Sequence, residues 1–184
     1  MIYVIDHEDS FTYNLVHLLD NFGTTYVSNY FNIDKKKLDA CKIIVFSPGP
    51  GDPSHYPETQ KIYHQYKGVK KIIGICLGFQ QILYAEKGQI IAQKRIFHGY
   101  QSRIKVLNGS SLFKPNKILL GGRYHSLKLK EPFYNKNLKI TMRCAETNVA
   151  MAIEDTINNV YGFQFHPDSF LTVDGKFLIQ KILQ

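Results

Sequence analysis

The chain has 184 residues, 44% of them hydrophobic and 21% charged, with a net charge of +8 and a sequence pI near 9.3. This composition belongs to a soluble globular chain able to bury a core without covalent staples, and it argues against disordered and membrane classes. The 3 cysteines, Cys41, Cys76 and Cys144, form no C-x-x-C pair, which argues against a disulfide framework and a structural zinc site and suits a reducing cytoplasm.

Met1-Ile2-Tyr3-Val4-Ile5-Asp6 reads as a first strand and not as a signal peptide, because it carries no basic leader and no small-residue cleavage site. A helix follows, with Leu15, Val16, Leu18, Leu19 and Phe22 at helical spacing and Gly23 as its stop. Residues 26–30 form the next extended candidate. The β-branched and aromatic run from Lys42 to Ser47 is the kind buried in a parallel sheet. Ser47-Pro48-Gly49-Pro50-Gly51-Asp52-Pro53 is too rich in Pro and Gly to continue any element and reads as a rigid loop. Residues 58–66 form a helix, 71–75 a strand and 77–87 a second helix. Repeated β-α-β units of this kind imply a parallel sheet with helices on both faces.

The second half changes character. Short extended candidates succeed one another at 103–107, 118–120, 127–129, 138–143, 149–153 and 160–165, some separated by turn pairs such as Asn108-Gly109 and Asn158-Asn159. A helix over 175–183 closes the chain. With no repeat, low-complexity tract or linker, residues 1–184 are expected to form a single α/β domain. Its apolar runs, such as Ile43-Ile44-Val45-Phe46, are far too short to span a membrane. The lysines are scattered and no nucleic-acid signature accompanies them, so the charge reads as a solvated basic surface, with an acidic protein partner as the alternative.

Cys76 is the centre of Gly74-Ile75-Cys76-Leu77-Gly78, between the strand at 71–75 and the helix at 77–87. G-x-C-x-G has the form of a nucleophile elbow, with a thiol where many hydrolases carry a serine hydroxyl. Small residues flank such a nucleophile because the tight turn brings neighbouring backbone close. A thiol at a helix N-terminus also meets the positive end of the macrodipole, which favours the thiolate. The competing reading is a packed thiol ending a core strand.

A nucleophilic Cys needs a base, and the base needs an orienting group. Of the 7 histidines, His7, His17, His55 and His64 read as surface residues, while His98 and His125 stay open. His166 ends an extended run and is followed by Pro167 and Asp168. Residues i and i+2 on an extended backbone share a side, and Pro167 biases His166 toward that conformation, so imidazole and carboxylate can stand together. One ring nitrogen would face Cys76 and the other would donate to Asp168. The oxyanion donors expected are the N–H of Leu77 and that of Gly49, since Pro48 and Pro50 have none. The same prolines weaken a phosphate-cradle reading of this loop. Open α/β sheets bind ligands beyond the carboxyl ends of their strands, where this loop and the elbow both lie.

Five blocks in register complete the picture: Asp9-Ser10-Phe11-Thr12-Tyr13-Asn14, Ser47-Pro48-Gly49-Pro50-Gly51, Gly74 to Gln80, Arg123-Tyr124-His125-Ser126-Leu127 and Gln164-Phe165-His166-Pro167-Asp168-Ser169. Together they resemble the class I (triad) glutamine amidotransferase subunits of anthranilate synthase and aminodeoxychorismate synthase. The resemblance implies a flavodoxin-like α/β fold, with a mostly parallel central sheet and additional short antiparallel strands in the second half. It implies L-glutamine as substrate, Cys76, His166 and Asp168 as the catalytic triad, and Gly49 and Leu77 as the oxyanion hole. Gly49, Pro50, Gly51, Gln80, Ser126 and Leu127 would bind the glutamine. Ammonia would pass to a larger chorismate-binding synthase subunit, which alone would carry Mg²⁺; no cofactor or metal is implied for this chain. The Asp9–Asn14 segment and the loop at His98-Gly99 would lie near that partner.

Three positions depart from the family pattern. Asp168 replaces the usual Glu and is one methylene shorter, so its bond to His166 is expected to lengthen or to need a backbone shift. Phe79 replaces His and is expected to alter packing beside the glutamine pocket. Tyr100 replaces the usual Lys after His98-Gly99. The short carboxylate keeps open a second reading, in which a regulatory subunit has lost part of its catalytic power. A third is another cysteine hydrolase on the same fold.

Overall fold

Side chains alternate across the first strand, β1 (Ile2–Asp6), so that Ile2 and Val4 enter one hydrophobic cluster while Tyr3 and Ile5 enter another. The same division recurs on β3 (Ile43–Phe46) and β4 (Lys71–Ile75): Val45, Ile73 and Ile75 point one way, Ile44, Phe46 and Ile72 the other. Continuous apolar runs are needed here because both faces are covered. The computed structural model describes residues 1–184. One face of its sheet is covered by α1 (Thr12–Asp20) and α5 (Gly175–Leu183), through Leu15, Val16, Leu19, Leu178, Ile179 and Ile182. The other is covered by α2 (Lys35–Ala40), α3 (Pro57–Tyr66) and α4 (Leu77–Ala85). Each fully buried Leu, Ile or Phe in these layers contributes about 1.5–3 kcal/mol.

The main sheet has 9 strands. With β2 at Thr25–Asn29 and β11 at Val160–Phe163, the parallel part runs β2-β1-β3-β4-β11. From β11 the sheet continues antiparallel through β10 (Ala150–Asp155), β9 (Lys139–Cys144), β6 (Tyr100–Val106) and β7 (Ile118–Arg123). The short strands of the second half therefore extend the central sheet. Two further strands, β5 (Ile90–Ala92) and β8 (Leu127–Leu129), pair separately.

Three elements lie outside the sequence reading. Helix α2 buries only Leu38 and so lacks an apolar stripe; its one local signal is Asp34, whose side chain accepts from the N–H of Lys37 as an N-cap. Strand β5 is short and mostly exposed. A single 3₁₀ turn, Pro53–His55, follows the Pro-Gly loop and is capped by Asp52. Strand β7 runs on to Arg123 through Gly121 and Gly122, where the sequence suggested a break after Leu120. A Cβ at Gly121 would stand 2.4 Å from the Ile104 side chain, so close packing, not turning, explains that glycine.

Candidate active site

Cys76 leaves β4 with φ 53° and ψ −100° and caps α4. A positive φ is uncommon outside glycine and costs of order 1–3 kcal/mol, held here by its surroundings. A Cβ on Gly74 would lie 2.4 Å from the backbone of Gly78, and one on Gly78 would lie 2.1 Å from the carbonyl oxygen of Phe46. Both glycines of the pentapeptide are thus required by close backbone approach. The N–H of Cys76 donates to Phe163 O at 2.8 Å, joining the elbow to β11. Cys76 is 8% exposed.

The Pro-Gly loop lies against the elbow: a Cβ on Gly49 would stand 2.5 Å from Leu77 Cδ2 and 2.6 Å from His7 Cβ. The N–H of Leu77 belongs to the first turn of α4 and has no intrahelical acceptor. His7, assigned to the surface from sequence, is in fact fully buried and props this loop. Its backbone N–H donates to Ser47 Oγ at 2.9 Å, and its Nε2 pairs with Thr59 Oγ1 at 2.9 Å. Ser47 Oγ in turn donates to Pro48 O. Burial lowers the His7 pKa to about 3, so the ring is neutral. An apolar strand end followed by a single His offers no sequence signal of this role.

His166 lies just beyond β11, anchored by its N–H to Gly122 O at 2.9 Å, while its own carbonyl accepts from Thr172 Oγ1. A Cβ on Gly175 would collide with Pro167 O at 1.9 Å, so the start of α5 presses directly on the His-Pro-Asp turn. The rings of Phe11 and Tyr124 meet the imidazole edge-on, each at 4.9 Å, and leave His166 1% exposed. Burial opposes its charged form, but the Cys76 thiolate and Asp168 outweigh burial and push its pKa up to about 10. His166 therefore holds its proton at neutral pH, beside the Cys76 sulfur.

Asp168 meets the expectation of a longer bond and departs from the expectation of a donated one. Its Oδ1 stands 3.6 Å from His166 Nδ1, with the carboxylate side chain fully buried. Neither carboxylate oxygen and neither ring nitrogen makes a hydrogen bond. The missing methylene leaves a charge contact where the sequence suggested a hydrogen bond.

A cavity of about 210 Å³ opens over the elbow, lined by Cys76, Leu77, Gly49, Pro50, Gly51 and Gln80, and across from them by Ser126 and Leu127. The residues named from sequence as oxyanion and glutamine contacts are thus brought together around one space. Asp9, Tyr124 and His125 line it as well. A wider groove of about 850 Å³ lies at the opposite end of α4, around Glu86 and Lys130, and is lined by no cysteine. Phe79 is fully buried in the core beside Tyr63 and Ile82 and does not line the smaller cavity, contrary to the expectation that it packs beside it.

The Arg123–Leu127 block explains how the far wall is held. Arg123 is fully buried with Phe97 under its guanidinium at 3.5 Å. Its Nε–H donates to His125 Nε2 at 3.0 Å, so the proton of this imidazole sits on Nδ1, which donates to Leu127 O at 2.8 Å. Burial and the neighbouring guanidinium lower the His125 pKa to about 3. The left-open histidine is thus a neutral strut. Its partner Arg123 gave no sequence signal beyond belonging to the same block. Of the segments expected near a partner, Tyr13 is 61% exposed, and His98 and Tyr100 are exposed with Arg95 stacked over Tyr100.

Residues 3–184 match the family described as Glutamine amidotransferase class-I. The chain is 34% identical to an anthranilate synthase component 2 of Lactococcus lactis over its whole length and 93% of that relative. It is 38% identical to one of Pyropia yezoensis, covering 100% of this chain and 99% of that one. It also matches 32% of the length of a bifunctional protein, TrpGD, of Thermotoga maritima at 35% identity. Among solved structures, one described as a GMP synthase subunit of Thermoplasma acidophilum superposes with a TM-score of 0.84 over 99% of this chain and 91% of that one, at 20% identity. A glutamine amidotransferase of Thermotoga maritima gives 0.75 over 99% and 95%, at 12% identity. These two speak for the fold alone.

Proposed function

This chain belongs to the class-I glutamine amidotransferases, and from that premise we propose that it is the glutaminase component of a chorismate-using synthase. Cys76 attacks the side-chain amide of L-glutamine to form a γ-glutamyl thioester. His166, as imidazolium, gives its proton to the departing ammonia and then takes one from the water that releases glutamate. The N–H groups of Gly49 and Leu77 receive the developing oxyanion. Gly49 to Gly51, Gln80, Ser126 and Leu127 hold the glutamine, and Asp168 orients and charges His166. The chemistry uses side chains and backbone alone, with Mg²⁺ assigned to the partner.

The observation that carries this reading is the strained Cys76 elbow opening into a cavity lined by Gly49, Gln80, Ser126 and Leu127. The names of the full-length relatives support anthranilate as the product, with 4-amino-4-deoxychorismate as the other outcome. The same names support a partner synthase component, and we propose that it is a separate, larger, chorismate-binding subunit. No helix is long and apolar enough to cross a membrane. The three free thiols support a reducing, cytoplasmic site of action. The test is ammonia and glutamate release from glutamine with each synthase subunit in turn. Turnover is expected with one of them and none after Cys76→Ser. No turnover with either would overturn the proposal.

A further inference from the structure

Gln164 is fully buried beneath the elbow, and its side chain has no place in the chemistry described so far. Its Nε2 lies 3.9 Å from Cys76 Sγ, and its Oε1 accepts from Gln80 Nε2 at 3.0 Å. Gln80 Nε2 also donates to Leu127 O at 3.4 Å, the carbonyl that receives the His125 proton. The direction of each amide follows from that carbonyl. A backbone oxygen only accepts, so Gln80 must turn its NH₂ toward it; Gln164 must then offer Oε1 to the same NH₂ and aim its own NH₂ at the sulfur.

We infer that Gln164 is a dedicated donor to the Cys76 thiolate, held in that direction by Gln80 and the Leu127 carbonyl. This deepens the proposed function and rests on Cys76 being its nucleophile. A thiolate that is nearly out of water loses hydration and needs donors in exchange. The His166 ring nitrogens make no hydrogen bond, which leaves the Gln164 amide as the side chain donating to sulfur. The same link ties the nucleophile to the far wall of the glutamine cavity. Seating of Ser126-Leu127 and stabilisation of the thiolate thus share one chain of contacts.

The test is the pH dependence of iodoacetamide alkylation at Cys76, followed by peptide mass spectrometry in the full chain and needing neither glutamine nor partner. Gln164→Met removes the donor at similar volume, and Gln164→Asn keeps an amide one methylene too short to reach. The ionisable groups facing the sulfur cavity (His166, Asp168, Asp9, Tyr124 and His125) are unchanged in both. Hydrogen bonds to a charged form favour it, so the alkylation midpoint is expected to rise by about half a pH unit or more in each variant. A merely structural role would change stability and leave the midpoint in place. An unmoved midpoint in a folded variant, judged by its urea transition, would overturn the assignment. If instead the unsubstituted chain failed to release ammonia with its partner, the proposed function would fall while the alkylation result still stood.

Discussion

His166 Nδ1 and Asp168 Oδ1 face each other across 3.6 Å, both inside the protein and neither hydrogen-bonded. The contact supplies charge but not the directional hold that fixes an imidazole during proton transfer. Asp168→Glu, whose extra methylene spans the gap, is expected to raise kcat/KM several-fold. Asp168→Ala is expected to lower it by roughly tenfold to a hundredfold. Steady-state ammonia release measures both; identical rates in all three proteins would remove Asp168 from the mechanism.

The charge on His166 sets the alkaline limit of activity. Burial alone would lower its pKa, yet Cys76 and Asp168 raise it to about 10. The ring therefore keeps its proton well above the ordinary 6.5 and loses it only as pH rises through the shifted value. The alkaline limb of kcat/KM should fall near pH 10, where this ring loses its proton. Asp168→Asn should draw that limb downward. A limb near the ordinary histidine value of about 6.5 in the parent protein would contradict the pairing.

Acid should destabilise the fold through two other histidines. Burial depresses His7 and His125 to about 3, with the Arg123 charge adding to the effect at His125. Unfolded, each binds a proton below about 6.5, so the unfolded state holds more protons and stability falls as pH drops from about 6.5 toward about 3. At pH 5 each ring should cost about 2 kcal/mol relative to neutral pH. His166 works in the opposite sense: its folded ring already holds a proton that the unfolded ring gains only near 6.5, so it offsets part of this loss between pH 7.5 and 5. Urea unfolding at pH 7.5 and 5 measures the net effect, and His7→Gln should recover about 2 kcal/mol of stability at the lower pH. A pH-independent transition would show that these rings are not held neutral.

Two glycines near the elbow should fail in different ways. At Gly78 the obstacle to a Cβ is the Phe46 backbone, which cannot yield locally, so Gly78→Ala is expected to cost at least about 3 kcal/mol or to abolish soluble expression. At Gly49 the obstacles are the end of the Leu77 side chain at 2.5 Å, which can yield, and His7 Cβ at 2.6 Å, which can yield only by a shift of the loop against β1. Gly49→Ala should therefore shift the loop that carries the proposed oxyanion donor, lowering kcat by roughly 10²–10³-fold at a smaller loss of stability than Gly78→Ala. Equal losses of stability in the two variants would refute the distinction.

Sequence made the parallel half of the sheet legible because Ile, Val and Phe runs alternate there with amphipathic helices and no residue type serves two purposes. The elbow was legible for a related reason, since Gly74 and Gly78 answer a local steric demand. Gly121 and Gly122 misled because the same residue type answers a tertiary demand, the packing of Ile104 and Ser169 against β7. Helix α2 lacked the apolar spacing that makes a helix readable. His7 and Gln164 were hidden for a deeper reason: their roles lie in partners 40 and 88 positions away along the chain. Local patterns carry no record of such contacts.

Strand β4 occupies the middle of the main sheet, with β11 hydrogen-bonded alongside it and Ile75 paired to Phe163. Cys76 and His166 thus hang from the ends of adjoining strands within the sheet. Regions of this kind open only when everything opens, whereas surface loops fray independently. Catalytic competence then works as a thermometer for the entire sheet: on warming, the enzyme should lose activity in step with cooperative melting, with no earlier stage in which it is folded but inert.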